Sequence, residues 1–154
     1  HGMERVEVLE AGLDPLAERP DPAAAVRALA EPFRVHAGFL RAVILSSAEH
    51  RYIADRGVEN VGRLRDRFVA ASVGASPDEA ARERAETIFA AAFAVLGMSV
   101  AYGPGYVDGT APSDVVARLE SLASEHLGPR GRRSPDGDEP SAGSRAPSAP
   151  RRAP

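Results

Sequence analysis

Histidine and acidic side chains are the first candidates for chemistry in this chain of 154 residues. His36 lies three residues from both Phe33 and Phe39, so its ring could orient a ligand in an apolar pocket. Paired with a carboxylate such as Glu31, it could instead act in general acid–base catalysis. The simpler interpretation is a histidine at a helix end that bonds to a backbone carbonyl.

The other patterns argue against metal, nucleophile and phosphate chemistry. The sequence has no cysteine, no Glu-x-x-His, no two histidines four residues apart and no Gly-x-Ser-x-Gly motif. The glycines of 103–109 (GPGYVDG) lack the preceding strand and following helix that a phosphate-binding loop needs. His50 is expected to cap or solvate a helix start, and His126 to lie at a helix C-terminus. We therefore expect no metal site, no cofactor and no enzymatic activity.

The composition favours a soluble helical domain. Arginine supplies all 19 basic residues, 44% of the chain is apolar and only 5% is aromatic. With alanine as the commonest apolar residue, an alanine-packed helical core is more plausible than a β-sandwich or barrel. The lack of cysteine is compatible with the cytoplasm, where we expect the protein. The apolar part of the segment 88–102 is shorter than the roughly twenty residues of a membrane span, so we expect no membrane association.

Periodicity and composition divide the chain into a helical domain at 1–127 and a tail at 128–154. The tail has no large apolar residue and is rich in Pro, Gly, Ser, Ala and Arg, which predicts disorder. It contains six arginines and three acids, whereas the rest contains 13 arginines and 19 acids and is acidic. The helices are predicted at 3–19, 22–37, 39–47, 48–71, 77–102 and 113–127.

The segment 76–102 (SPDEAARERAETIFAAAFAVLGMSVAY) is the most informative part of the sequence. Ser76 is the predicted helix cap, Pro77 suits the first helical position, and Glu79 would close a capping box. Beyond Glu86 the helix is apolar on every side, so it must be covered all round. Because a short chain has few elements to supply that cover, we expect a second subunit against one side.

The order of these segments resembles the C-terminal regulatory domain of tetracycline-repressor (TetR) family transcription factors. The resemblance is carried by DPAAAVRALAEPF (21–33), HAGFLRAVILS (36–46), GVENVGRLRDRFVAA (57–71) and ARERAETIFAAAFAVLGMSVAYGPG (81–105). It implies an all-α fold, an antiparallel bundle of about six helices whose last two pair with a second subunit in a four-helix bundle. The protein would then be a homodimer, and its earlier helices would surround a pocket for a small, mostly apolar effector.

The resemblance also implies a role for individual residues. The expected ligand-binding residues are Phe33, His36, Phe39, Leu40, Ile44, Tyr52, Asn60, Leu64, Phe68 and Thr87. The expected dimer-interface residues are Phe89, Phe93, Leu96, Val100, Val115, Leu119 and Leu122. Phe89 and Phe93 could instead line the pocket, and the sequence does not decide between the two. Each large apolar residue has a simpler interpretation as plain core. The alternative function is therefore a helical dimerisation module with no small-molecule site.

Family members carry an N-terminal three-helix DNA-binding unit that these residues do not supply. The segment 7–18 (EVLEAGLDPLAE) is acidic, whereas an element that approaches phosphates needs a basic face. We therefore expect a fragment of a longer regulator, which binds DNA only through a helix-turn-helix outside this chain. The dispersed arginines of the tail would add weak, salt-sensitive contacts at most.

Overall fold

The computed structural model describes residues 12–103 and 111–128, and within these ranges the chain is helical and has no strand. A short 3-10 turn, Asp14–Ala17, precedes five α-helices. The helices are α1 (Pro22–Val35), α2 (Ala37–Ser47), α3 (Arg51–Val73), α4 (Glu79–Tyr102) and α5 (Pro112–Leu127). The predicted all-α class is confirmed. Most of the predicted helix at 3–19, and the tail beyond Gly128, lie outside the described residues.

α1 begins where the sequence predicts it and ends earlier. Asp21 caps the helix, because its Oδ1 accepts a hydrogen bond from the Ala24 N–H at 3.0 Å. The break between α1 and α2 falls at His36. The sequence predicts it two residues later, at Gly38. The His36 N–H donates to the Pro32 carbonyl at 2.8 Å, so a backbone hydrogen bond closes the helix without a glycine.

α4 begins later than predicted. Its cap is Asp78, whose Oδ1 accepts a hydrogen bond from the Ala81 N–H at 2.7 Å. The predicted capping box between Ser76 and Glu79 is therefore wrong, and Pro77 lies before the helix. A carboxylate accepts a hydrogen bond more strongly than a hydroxyl, and its negative charge is favourable at a helix N-terminus. These two effects favour Asp78 over Ser76.

Two glycines with positive φ end the two longest helices. Gly74 (φ +96°) follows α3 and Gly103 (φ +99°) follows α4, and a side chain at either position would strain the backbone. Close to the turn at Gly74, the Asp21 N–H donates to the Ala71 carbonyl at 2.9 Å and joins the start of α1 to the end of α3. The turn at Gly74 lets α4 return along α3 and α1, against which it packs.

Four phenylalanines connect three helices in the core. Phe33 of α1 meets Phe93 of α4 edge to face, with ring centroids 5.5 Å apart. Phe89 stacks on Phe93 at 5.5 Å and lies 5.6 Å from Phe68 of α3. Such ring pairs stabilise a core beyond the area that they bury. The centre of the molecule is therefore filled by side chains of α1, α3 and α4.

α5 closes the bundle, and its most extensive packing is against α1. Arg27 donates two hydrogen bonds to the Glu120 carboxylate, at 2.9 and 3.1 Å. These hydrogen bonds, and the negative charge beside them, raise the pKa of the Arg27 guanidinium above its ordinary value. Because the pair is exposed to solvent, it orients α5 more than it stabilises the fold.

Candidate functional site

The predicted ligand-binding residues lie in three different environments. Three belong to the core, with Phe33 7%, Leu64 5% and Phe68 0% exposed. Five are half-buried in α3 or in and beside α2: His36, Phe39, Leu40, Ile44 and Asn60. The last two, Tyr52 and Thr87, are exposed. The ten residues therefore differ in burial, and whether they bind a ligand stays a prediction.

The polar members of this set are engaged within their own helices. The Asn60 side-chain oxygen accepts a hydrogen bond from Arg63 at 2.6 Å. The Thr87 hydroxyl donates to the Glu83 carbonyl at 2.9 Å, the usual bond of a hydroxyl inside a helix. The remaining aromatic, Tyr52, is 74% exposed at the start of α3. The hydrogen bonds of Asn60 and Thr87 are therefore local to α3 and α4.

The acid–base pair that the sequence allows is not assembled. Glu31 accepts a hydrogen bond from the Arg34 Nε at 2.9 Å, and this bond lowers the pKa of the Glu31 carboxyl. His36 instead joins α1 to α2 through its backbone, and within the described ranges no hydrogen bond links its ring to a carboxylate. The same part of the chain holds no group of three His, Asp or Glu side chains that could bind a metal ion.

Two open grooves lie on the outer side of α5. One, of about 350 Å³, is lined by Ala117, Arg118, Ser121, Leu122 and Glu125. The other, of about 490 Å³, is lined by Ala23, Ala117, Glu120, Ser121, Ser124 and Glu125. None of the ten predicted ligand-binding residues lines either groove. Ligand pockets are concave and bury most of their ligand, whereas these open grooves suit the side of another helix.

Four of the predicted dimer-interface residues lie in the core of this chain. Phe89, Leu96, Val115 and Leu119 are 3%, 7%, 7% and 8% exposed. The chain's own helices cover their side chains. In the described structure these residues can therefore support an interface only by packing beneath the residues that form it. The other three, Phe93, Val100 and Leu122, are half-buried and pack against the same core. Whether a second subunit contacts them stays a prediction.

One side of α4 faces solvent, and we call it the α4 outer face. It consists of Ala90, Ala91, Ala94 and Met98. All four are exposed, Met98 by 37%. Their spacing of three and four residues places them along one side of the helix, opposite Phe89 and Leu96. No charged residue occurs from Thr87 to Tyr102. Side-chain size in the sequence does not show which side is exposed, since Ala85 and Ala92 are buried whereas Met98 and Tyr102 are exposed.

α4 is also long and apolar enough, by length and composition, to cross a membrane. The core helices of soluble proteins meet the same criterion, and only 33% of the most apolar 18-residue window is buried inside the chain. The apolar surface of α4 that remains exposed is a candidate contact surface for protein or for lipid, and the two are distinguished below by experiment.

A second apolar surface lies on α2 and its neighbours. α2 has no buried residue, although eight of its eleven residues are Ala, Gly, Phe, Leu, Val or Ile. Val35 is 54% exposed, Leu45 49%, and Val58 of α3 74%. α2 is therefore covered on one side only, by α3 and α4, and is the least tightly packed helix of the described bundle.

Comparison with protein-family models, curated proteins and solved structures gives no match to this chain. Its candidate site is the α4 outer face together with the exposed side of α5. The two helices are in contact with each other. This arrangement offers a surface for a helical partner, with no enclosed cavity among the residues that line the two grooves.

Proposed function

We propose that this chain is the regulatory, homodimerising domain of a TetR-like transcriptional regulator in the cytoplasm. The observation that carries the proposal is the α4 outer face, which is uncharged, exposed and made of three alanines and one methionine. Small side chains let two helices approach to the shortest interaxial distances, about 8 Å. In such a regulator, a DNA-reading unit joined to each copy would be held at the spacing that the dimer sets.

The size of the surface requires both α4 and α5. The uncharged part of α4, Thr87 to Tyr102, and the whole of α5 each have 16 residues and are about 24 Å long. A strip about 10 Å wide along one such helix covers roughly 240 Å² per chain. Two copies of a single strip give only about 500 Å², whereas specific interfaces exceed about 1,000 Å². Both helices together reach about that value, which favours a four-helix contact.

Effector binding is a second proposal, supported by the packing of α2. α2 is apolar but has no buried residue, so it is free to move away from α3. A small apolar ligand between α2 and the first half of α3 would cover the exposed apolar carbons of α2. Phe39, Leu40 and Ile44 are half-buried at that position. Saturating toluene, a small apolar probe, should then raise the unfolding temperature. An unchanged temperature favours the alternative, a dimerisation module without a small-molecule site.

The dimer can be tested by sedimentation equilibrium of the whole chain in detergent-free buffer, over a range of micromolar concentrations. Ala94→Arg should give a monomer, because the interface would bury a charge without a partner, while in the separate chain the arginine lies in solvent. Ala42→Arg is the matched control, since Ala42 is exposed on α2 and lies outside the proposed interface.

Circular dichroism must show equal helicity for both variants. A wild-type chain that sediments as a monomer would contradict the proposal, and so would an Ala94→Arg variant that keeps the dimer mass. Wild-type protein that is monomeric in buffer and floats with phospholipid vesicles would show that lipid, and not a second copy, covers α4.

A further inference from the structure

Two charged side chains that line one groove on α5 have no ion-pair partner in the part of the chain that the structure describes. Arg118 and Glu125 are both exposed, and within residues 12–103 and 111–128 neither lies within 4 Å of an opposite charge. Asp114, one turn before Arg118, is a third exposed charge of α5 that forms no ion pair within these residues. By contrast, Glu120 of the same helix is paired with Arg27 at 2.9 Å. The chain therefore satisfies the α5 charge that faces α1 and leaves Asp114, Arg118 and Glu125 on the side that faces outward.

These two charges lie on one line along the helix. Arg118 and Glu125 are seven residues apart, which is about two turns and about 10.5 Å along the axis. Both line the same open groove, together with Ala117, Ser121 and Leu122. The midpoint between the two charges falls between Ser121 and Leu122. The groove is therefore shallow, lined near its centre by small or uncharged side chains, and bordered by opposite charges at its two ends.

We propose that α5 packs antiparallel on α5 of a second copy, about a two-fold axis between Ser121 and Leu122. In that register Arg118 lies opposite the partner's Glu125, and Glu125 lies opposite the partner's Arg118. The inference rests on the proposed dimer and adds its register and its choice of partner. A two-fold interface is self-complementary, so a surface that carries its own opposite charge at the mirrored position fits a second copy of itself.

Other arrangements of the same helices are less favourable. A parallel pairing in register sets Arg118 against Arg118 and Glu125 against Glu125, and like charges placed opposite one another repel. In an antiparallel pairing shifted by one turn, Arg118 no longer lies opposite the partner's Glu125, so both ion pairs are lost. An antiparallel pairing centred on Val116 would set Asp114 against the partner's Arg118, but it overlaps only 112–120 of each helix, whereas the proposed register overlaps 116–127. The proposed register therefore satisfies Arg118 and Glu125 at once over the longer contact.

The test is a charge exchange followed by sedimentation equilibrium. Arg118→Glu alone and Glu125→Arg alone should each weaken the dimer about tenfold, because two pairs change from attraction to repulsion at once. The double variant should recover the wild-type dissociation constant. An equal mixture of the two single variants should also recover it. In the mixed dimer, both charged positions are acidic in one copy and basic in the other, so each of the two pairs is attractive.

Matched controls carry the same charge changes elsewhere. Arg41→Glu and Glu49→Arg lie at exposed positions on and just after α2 and should leave the dissociation constant unchanged. The wild-type dimer should also weaken as salt rises, since salt screens exposed pairs.

The outcomes separate this inference from the proposed dimer. A wild-type chain that is monomeric overturns both. A wild-type dimer that Ala94→Arg disrupts, but that neither single charge variant weakens, overturns the register and leaves the proposed function intact. Single variants that weaken the dimer without recovery in the double variant or the mixture overturn the reciprocal pairing. Recovery in both supports it.

Discussion

Phe68 and Tyr52 share the sequence features of pocket-lining residues, since both are aromatic and both lie on α3. The structure separates them completely: 0% of Phe68 is exposed, and 74% of Tyr52. The difference arises because the second half of α3 packs beneath α1 and α4, whereas its first half extends beyond them. At the scale of the residue, aromatic character alone does not distinguish a core position from a surface position.

Phe68→Ala should reduce the free energy of unfolding by about 3–5 kcal/mol, because it removes a fully buried ring and leaves a cavity beside Phe89. Tyr52→Ala, the matched aromatic control on the same helix, should change it by less than about 0.5 kcal/mol. Urea denaturation followed by circular dichroism measures both at one protein concentration. Equal losses for the two variants would contradict the assignment of Phe68 to the core.

At the scale of the element, the starts of helices are predicted well where a single capping residue is present. Asp21 has no competitor and is confirmed, whereas Ser76 and Asp78 are both capable caps within three residues and the sequence does not choose between them. The inward side of α4 is a harder problem. A helix that is apolar all round has no polar face to show which side is exposed. Side-chain size does not show it either, since Ala92 is buried and Met98 is exposed.

The cap of α4 provides the prediction at this scale. Asp78→Ala should lower the free energy of unfolding by about 1 kcal/mol, because the Ala81 N–H loses its acceptor and the helix N-terminus loses a favourable charge. Ser76→Ala should cost at most a few tenths of that, since Ser76 lies before the helix. Urea denaturation of both variants compares them directly, and a larger effect at Ser76 would restore the capping box.

At the scale of the whole molecule, the helical class and the order of the helices follow from periodicity, whereas the partner does not. Periodicity indicates that α4 needs cover on every side, and the structure shows which side the chain covers itself. The predicted interface residues Phe89 and Leu96 lie in the core of this chain, and whether a second subunit also packs there stays a prediction. The sequence of one chain shows that α4 is apolar but not which side of it remains exposed.

A chain that folds as a dimer has a stability that depends on its own concentration, because the second copy acts as a ligand of the folded state. With the 110 described residues in each of two copies, a tenfold increase in protein concentration should raise the unfolding temperature by about 3 °C. Differential scanning calorimetry of the whole chain across a hundredfold range of concentration measures this shift.

Ala94→Arg provides the internal reference for that measurement, because its separate chain keeps every described core contact while the proposed contact is lost. Its unfolding temperature should not change with concentration. A wild-type unfolding temperature that is likewise independent of protein concentration would mean that no second copy covers the α4 outer face. A temperature that rises in both proteins alike would mean that the copies associate through a different surface, for which the apolar residues of α2 are the next candidate.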